Sequence, residues 1–265
     1  MNFSHDSLIT PHEKNRIIRS CKKRNNNVKN TLFQVIKTVK GNIFMGIFNR
    51  THAFIWNSMS VNNCNTYLIE GPTRVLIDPG HLTLFNENVR KELGNLGIGM
   101  EDIGLVICTH SHPDHLEAVQ LFREKPALTA IHEEEWKLVK SMEQYVNTFG
   151  VRLDSIVPDF FLKQGELSVN GLEFKIIHTP GHSPGSVCIY WPEEKALFTG
   201  DLIFKEGVGR TDLPGGDGSL LKESILRLAD LEVECILPGH GDIVSGAAEV
   251  KNTFSHLQQF WFQHI

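Results

Sequence analysis

Short apolar runs closed by glycine, proline or aspartate recur through most of this 265-residue chain, alternating with longer stretches whose apolar residues fall at helical spacing. Thr66-Tyr67-Leu68-Ile69 and Val75-Leu76-Ile77 flank Gly71-Pro72 and predict two strands joined by a turn. Leu84, Phe85, Val89, Leu93 and Leu96 predict a helix over 84–96 with one face against a sheet. A strand over 103–108 follows, then a helix over 114–122 with Leu116, Val119 and Phe122 on one side, then a strand over 127–131. Trp136, Val139, Met142 and Val146 recur at helical intervals and, with the segment 158–162, predict a helical insertion over about residues 133–162. Strands at 172–177, 186–190 and 196–198 precede a helix over 220–231, a last strand at 235–237 and a terminal helix over 246–261. Two runs of strands, each followed by helices, predict an α+β fold of two packed β-sheets with helices outside.

The first forty residues differ from the rest. They carry nine Lys or Arg against Asp6 and Glu13, a local charge of +7 within a chain of net −5, and they include the run Asn25-Asn26-Asn27. No sustained amphipathic period runs through them, so 1–40 is expected to be a basic, poorly ordered extension and 41–265 the folded domain. No apolar run approaches the ~20 residues that span a bilayer, and 31–36 is too short for a secretory signal. A cytoplasmic protein is expected, with no membrane partner. Cys21, Cys64, Cys108, Cys188 and Cys235 form no CxxC pair, which argues against both a disulfide framework and a zinc knuckle.

The chemistry is concentrated in Thr109-His110-Ser111-His112-Pro113-Asp114-His115, directly after an apolar strand. Imidazole nitrogen and carboxylate oxygen are natural ligands of zinc and other first-row divalent ions. His110 and His112 are two apart and can point the same way, while Asp114 and His115 belong to the next turn. Three further candidates follow apolar runs: His182 in Pro180-Gly181-His182, Asp201 in Thr199-Gly200-Asp201, and His240 in Pro238-Gly239-His240-Gly241. The prolines stiffen each approach, and Gly181 and Gly239 are read as permitting backbone conformations closed to other residues. Asp78, in Asp78-Pro79-Gly80, is a candidate to orient a ligating histidine, since such rings usually donate their second nitrogen to a carboxylate or carbonyl. His178 and Arg210 are candidates to line the pocket, Arg210 by meeting an acidic substrate group or by forming a structural salt bridge.

The order HxHxDH, PGH, TGD, PGHG resembles the metallo-β-lactamase superfamily, and within it the glyoxalase II-like (hydroxyacylglutathione hydrolase-like) branch, from about Asn42 to the C-terminus. The resemblance implies an αββα sandwich of the metallo-β-lactamase fold. It implies one ion on His110, His112 and His182, a second on Asp114, His115 and His240, and Asp201 between them. Asp114 is then a ligand first and a proton shuttle second. Two divalent metal ions are expected, zinc first, with iron or manganese as alternatives. The implied activity is a binuclear metal-dependent hydrolase in which a metal-bound hydroxide attacks a small thioester, lactone or related ester.

Asp201 separates the chain from true β-lactamases, which lack a bridging aspartate at that place. Only 24 residues follow Gly241, too few for the helical glutathione-binding domain that full glyoxalase II carries there, so the branch without that domain is expected. The Thr199-to-Asp212 stretch is also similar to persulfide dioxygenases, which hold one iron on the positions matching His110, His182 and Asp201. A mononuclear iron enzyme acting on a persulfide is therefore the alternative, which the intact 237–241 motif disfavours. Nucleic-acid processing, suggested only by the basic leader, ranks third, because the catalytic part is acidic. The expected partner is a small-molecule substrate, and a homodimer through the insertion or terminal helix is a further expectation.

Overall fold

The computed structural model describes residues 36–39, 42–48, 50–58, 60–148 and 156–265. Eight strands build the first sheet in chain order: β1 (Ile36–Val39), β2 (Asn42–Phe48), β3 (Thr51–Ile55), β4 (Thr66–Ile69), β5 (Arg74–Ile77), β6 (Ile103–Ile107), β7 (Leu128–His132) and β8 (Phe160–Leu162). The second sheet runs β16-β15-β12-β11-β10-β9, from β9 (Gly165–Val169), β10 (Leu172–His178), β11 (Val187–Trp191), β12 (Ala196–Gly200), β15 (Cys235–Pro238) and β16 (Val244–Ser245). A small ribbon, β13 (Ile203–Phe204) and β14 (Gly207–Val208), stands apart from both.

Period-two alternation explains how the sheets pack. Tyr67, Ile69, Val75, Ile77, Leu105 and Ile107 face inward and meet Phe174, Ile176, Val187, Ile189, Trp191 and Phe198 of the other sheet in one core. Their neighbours Leu68, Leu76, Val106 and Cys108 face outward under the helices of that side, with Phe85, Leu93 and Phe122. Cys188, Tyr190, Leu197 and Ile236 do the same on the second sheet, beneath α4 (Gly218–Leu228) and α5 (Ala247–His256). Every residue of β11 is buried, as its unbroken apolar run requires when both faces of a sheet are covered. The expected αββα sandwich is thus present, with α1 (82–95), α2 (Pro113–Leu116) and α3 (Glu133–Thr148) on the outer side of the first sheet.

Several boundaries differ from the sequence expectation. The sheet reaches into the segment expected to be an extension: Ile36–Val39 pairs antiparallel with Asn42–Met45. Residues 1–35 lie outside the described residues. Among the described residues of the segment 133–162 only α3 is helical, because Phe160–Leu162 adds a parallel strand beside β7 and Leu162 enters the inter-sheet core. Asp159 fixes that strand's entry, its Oδ2 accepting from the Thr129 N–H at 2.9 Å. Strands β3 and β9, which the pattern did not mark, pair antiparallel, β3 with β2 and β4 and β9 with β10.

Parallel pairing of β5 with β6 and of β12 with β15 brings four strand ends to one rim of the sandwich. Asp78, Thr109, Asp201 and the 238–241 turn leave the sheets there. The two sheets are tied at this rim, where the Val187 N–H donates to the Thr109 carbonyl at 2.9 Å and the Tyr67 hydroxyl to the Pro238 carbonyl at 2.7 Å.

Candidate metal centre

All seven sequence-predicted ligands come together at this rim. His110 Nε2 lies 3.0 Å from His112 Nδ1, and His182 Nε2 lies 2.8 Å from the same atom. His115 Nε2 is 3.3 Å from His240 Nε2, and His240 Nε2 is 3.3 Å from Asp114 Oδ2. Asp201 stands between the two groups: its Oδ2 is 3.6 Å from His182 Nε2 and 3.3 Å from His240 Nε2, and its Oδ1 is 3.3 Å from His115 Nε2. His110, His112 and His182 form one group that could hold an ion, and Asp114, His115 and His240 another, with ligand atoms inside each group within 4.8 Å of one another.

Hydrogen bonds behind the cluster fix which nitrogens carry protons. His182 Nδ1 lies 2.7 Å from the Arg210 carbonyl, which can only accept, so that nitrogen is the donor and Nε2 is the position for the ring's lone pair. The Thr109 hydroxyl gives its single proton to Asp78 Oδ2 at 2.7 Å, so it accepts from His110 Nδ1 at 3.1 Å, and His110 Nε2 is likewise bare. Two lone pairs therefore point at His112 Nδ1, where at most one proton can be shared. Asp201 Oδ1 is buried without a hydrogen-bond partner. Buried lone pairs facing one another are costly unless a cation sits among them. These donor sets, imidazole with carboxylate, fit first-row divalent ions.

The charge states divide the cluster in the same way. Burial, and then the neighbouring rings His115 and His112, hold His110 well below the ordinary histidine range; burial and then His182 bring His112 down to about 4. The other group is ionic. His240 is raised to about 9, burial opposing the charge and the Asp201 carboxylate, with Asp114, overriding it. Asp114 falls to about 2, burial again opposing and His115 favouring the carboxylate. Asp201 is held well below the usual range by His115 and His240 despite its burial.

Asp78 takes the orienting role. Its left-handed backbone, φ 50°, turns the carboxylate under the cluster, where Oδ1 accepts from the Thr109 N–H at 2.7 Å and Oδ2 takes the Thr109 hydroxyl and His115 Nδ1, the latter at 3.0 Å. An asparagine there can supply only one acceptor atom. Asp78→Asn is therefore expected to weaken metal binding about 10- to 100-fold, with a smaller loss of fold stability, as metal titration of the purified variant would measure.

Arg210 acts through its main chain. Its carbonyl orients His182, while its exposed side chain binds Asp212 twice, each bond at 2.7 Å. Of the two readings held open for it, the salt bridge is the one present. His178 does not join the ligand atoms. It stacks flat on His132, ring centroids 4.3 Å apart, and its Nε2 lies 2.9 Å from the Pro184 carbonyl.

The two glycine turns work for different reasons. Gly181 has φ +139°, and a side chain there would also collide with the Leu221 backbone at the start of α4. Gly239 has no positive φ among the described backbone; what it supplies is space, since a Cβ would strike the Asp201 carboxylate and come within 2.7 Å of His115. Conformational freedom is thus not why Gly239 is needed.

Three supporting residues were not legible in the motifs. Asn62 donates to Asp114 Oδ2 at 2.7 Å, and Glu117 receives the Leu82 N–H at 3.1 Å with His81 Nδ1 at 3.0 Å beside it. Glu135, wholly buried on α3, accepts four bonds: from the Ser111 N–H at 2.8 Å and hydroxyl at 2.5 Å, the Ser183 hydroxyl at 2.6 Å and the Gly185 N–H at 2.6 Å. It lay in an acidic run, Glu133-Glu134-Glu135, where nothing distinguished it from its neighbours except the helical period that turns it inward.

The metallo-beta-lactamase superfamily model matches residues 59–240. A probable metallo-hydrolase of Methanocaldococcus jannaschii is 41% identical over 189 residues, 68% of this chain and 88% of its own length. The hydroxyacylglutathione hydrolase GloC of Haemophilus influenzae is 30% identical over 197 residues, 72% of this chain and 90% of its own. Among solved structures, TTHA1623 in a di-iron-bound form is 31% identical at TM-score 0.60, the match covering 74% of this chain and 92% of that one.

Proposed function

Since the chain belongs to the metallo-β-lactamase superfamily and is a metallo-hydrolase with a histidine and aspartate cluster able to bind metal, we propose that it is a binuclear enzyme cleaving a small thioester, lactone or related ester. The observation that carries this reading is the convergence of imidazole nitrogens on His112 Nδ1, with the buried Asp201 carboxylate within reach of both ligand groups. His110, His112 and His182 would hold one ion, Asp114, His115 and His240 the other, and Asp201 would reach both. Divalent ions at such a place supply Lewis acidity and bring the pKa of water down toward ~7. Zinc suits the donors, and iron or manganese are the other candidates; the di-iron form of a relative 31% identical supports a two-ion reading.

The protein's own groups support water as the nucleophile. The Ser111 and Ser183 hydroxyls are committed to Glu135, and that of Thr109 to Asp78. Cys64, Cys108, Cys188 and Cys235 are buried, and burial pushes Cys64, Cys188 and Cys235 to about 12, far from a reactive thiolate. Asp114 is held by Asn62 and by His240, which favours service as a ligand over service as a free base. Among the described residues no helix is long and apolar enough to cross a membrane.

Elemental analysis of protein purified without added metal is the test, followed by a thioester and lactone panel. About two ions per chain, with hydrolysis lost to a chelator and regained on reloading, is the expected result. Chelation is also expected to lower Tm by several degrees, because an ion that binds only the folded state stabilises it. One iron per chain with no second ion taken up, and oxygen consumed with a persulfide, would replace this reading by the mononuclear oxygenase.

A further inference from the structure

A cleft of about 480 Å³ opens beside His240, lined by Phe204, Val208 and Trp261, with Lys205, Glu206 and Asp242 at its edge. The ribbon that carries Phe204 and Val208 begins two residues after Asp201, so it is anchored to the ligand cluster itself. Trp261 arrives from the end of the C-terminal helix and packs on the ribbon turn, where a Cβ at Gly207 would come 3.3 Å from its ring. The Phe204 ring lies edge-on to the His240 ring at 5.9 Å between centroids. The cleft therefore runs from the ligand cluster onto three apolar side chains that come from two separate elements.

Its charges argue against an anionic occupant. Lys205 is paired with Asp242 at 3.1 Å, and Glu206 adds a second carboxylate, so this edge offers no net positive charge. Arg210, beyond the cleft, is engaged by both Asp212 oxygens. A glutathione thioester would bring two carboxylates to an edge whose lysine is already paired and which carries a further carboxylate, whereas an alkyl or aryl chain would cover Trp261, Phe204 and Val208 and gain from leaving water.

We infer that this cleft binds an uncharged apolar chain of the substrate, which makes the enzyme selective for lipophilic thioesters or esters over glutathione conjugates. The inference rests on the hydrolase reading above. Burial of each added methylene in such a cleft raises kcat/KM by up to about fourfold. With the metal-loaded full chain, kcat/KM is expected to climb from acetyl to octanoyl thioesters of one short thiol if the acyl side occupies the cleft. It is expected to climb from methyl to octyl thiol esters of acetate if the leaving side does. Trp261→Ala, and independently Val208→Asp should the first fail to fold, are expected to cut the long-to-short ratio at least tenfold, with metal content and Tm checked in parallel.

Calorimetry with octyl methyl thioether, which cannot be hydrolysed, reads the cleft without turnover. Hydrolysis with a flat chain-length profile on both sides, or a preference for S-lactoylglutathione over octanoyl thioesters, would overturn the inference and leave the hydrolase intact. Saturable thioether binding lost in Trp261→Ala, with no ester turned over, would uphold the cleft and overturn the hydrolase.

Discussion

His112→Ala is expected to abolish both metal retention and hydrolysis while leaving the metal-free fold at least as stable as before. His112 Nδ1 is the atom on which the first group closes, 3.0 Å from His110 Nε2 and 2.8 Å from His182 Nε2. Removing it leaves two imidazoles and the shared Asp201, one ligand fewer than that side offers an ion with His112 in place. Loss of several kcal/mol of transition-state stabilisation corresponds to a fall of about a thousandfold or more in rate. The metal-free protein has no reason to suffer, because burial disfavours a charge on His112 and two lone pairs already press on its Nδ1. Metal analysis and paired Tm measurements with and without added ion test this. A variant that keeps full metal content and rate would remove His112 from the site, and a metal-free variant that melts much lower would show that its role is packing.

Glu135→Ala is expected to be the most damaging substitution outside the ligands. The carboxylate joins the loop between His110 and His112 to the loop after His182, and its loss strands the Ser111 N–H and the Gly185 N–H in a buried place. The Ser183 hydroxyl retains the Ser186 hydroxyl at 2.6 Å, which limits the damage on that side. Each stranded donor costs about 1–3 kcal/mol, so a loss of roughly 3–5 kcal/mol is expected. For a domain of this size that is a fall in Tm of about 10 °C. Metal affinity should drop with it, because two ligand loops lose their common anchor. Glu135→Gln, which keeps the shape but turns one acceptor into a donor, should fall between. A melting temperature unchanged to within a degree or so would mean that the loops hold their shape through the sheets alone.

The two predictions differ in how they could be found. His112 stands in a run of three imidazoles and a carboxylate whose residue types have few other uses, so its chemistry is legible in one dimension. Glu135 is one of three consecutive glutamates and is set apart only by the face of α3 that turns to the loops. Thr109 and Asn62 were silent for the same reason, since a hydroxyl or an amide acquires a role only when a partner distant in the chain is brought to it. Phe204, Val208 and Trp261 lie more than fifty residues apart end to end and read separately as ordinary core candidates.

What the amino-acid order determined by itself was the kind of chemistry, the seven ligand candidates and the two-layer pattern, because ligand type, strand alternation and turn residues are local properties. Even there, local reasoning misjudged ends: Phe160–Leu162 reads as part of a helical insertion until β7 offers a parallel neighbour, and Ile36–Val39 as leader until β2 pairs with it. Tertiary structure alone decided which nitrogen of each ring faces the centre, that Arg210 works through its carbonyl and pairs its guanidinium with Asp212, that Gly239 is needed for room, and that an apolar cleft adjoins His240. The physical reason is one of range. Imidazole tautomers, close approaches and cleft walls are set by groups on different strands and helices, and they meet only after the two sheets have closed on their common core.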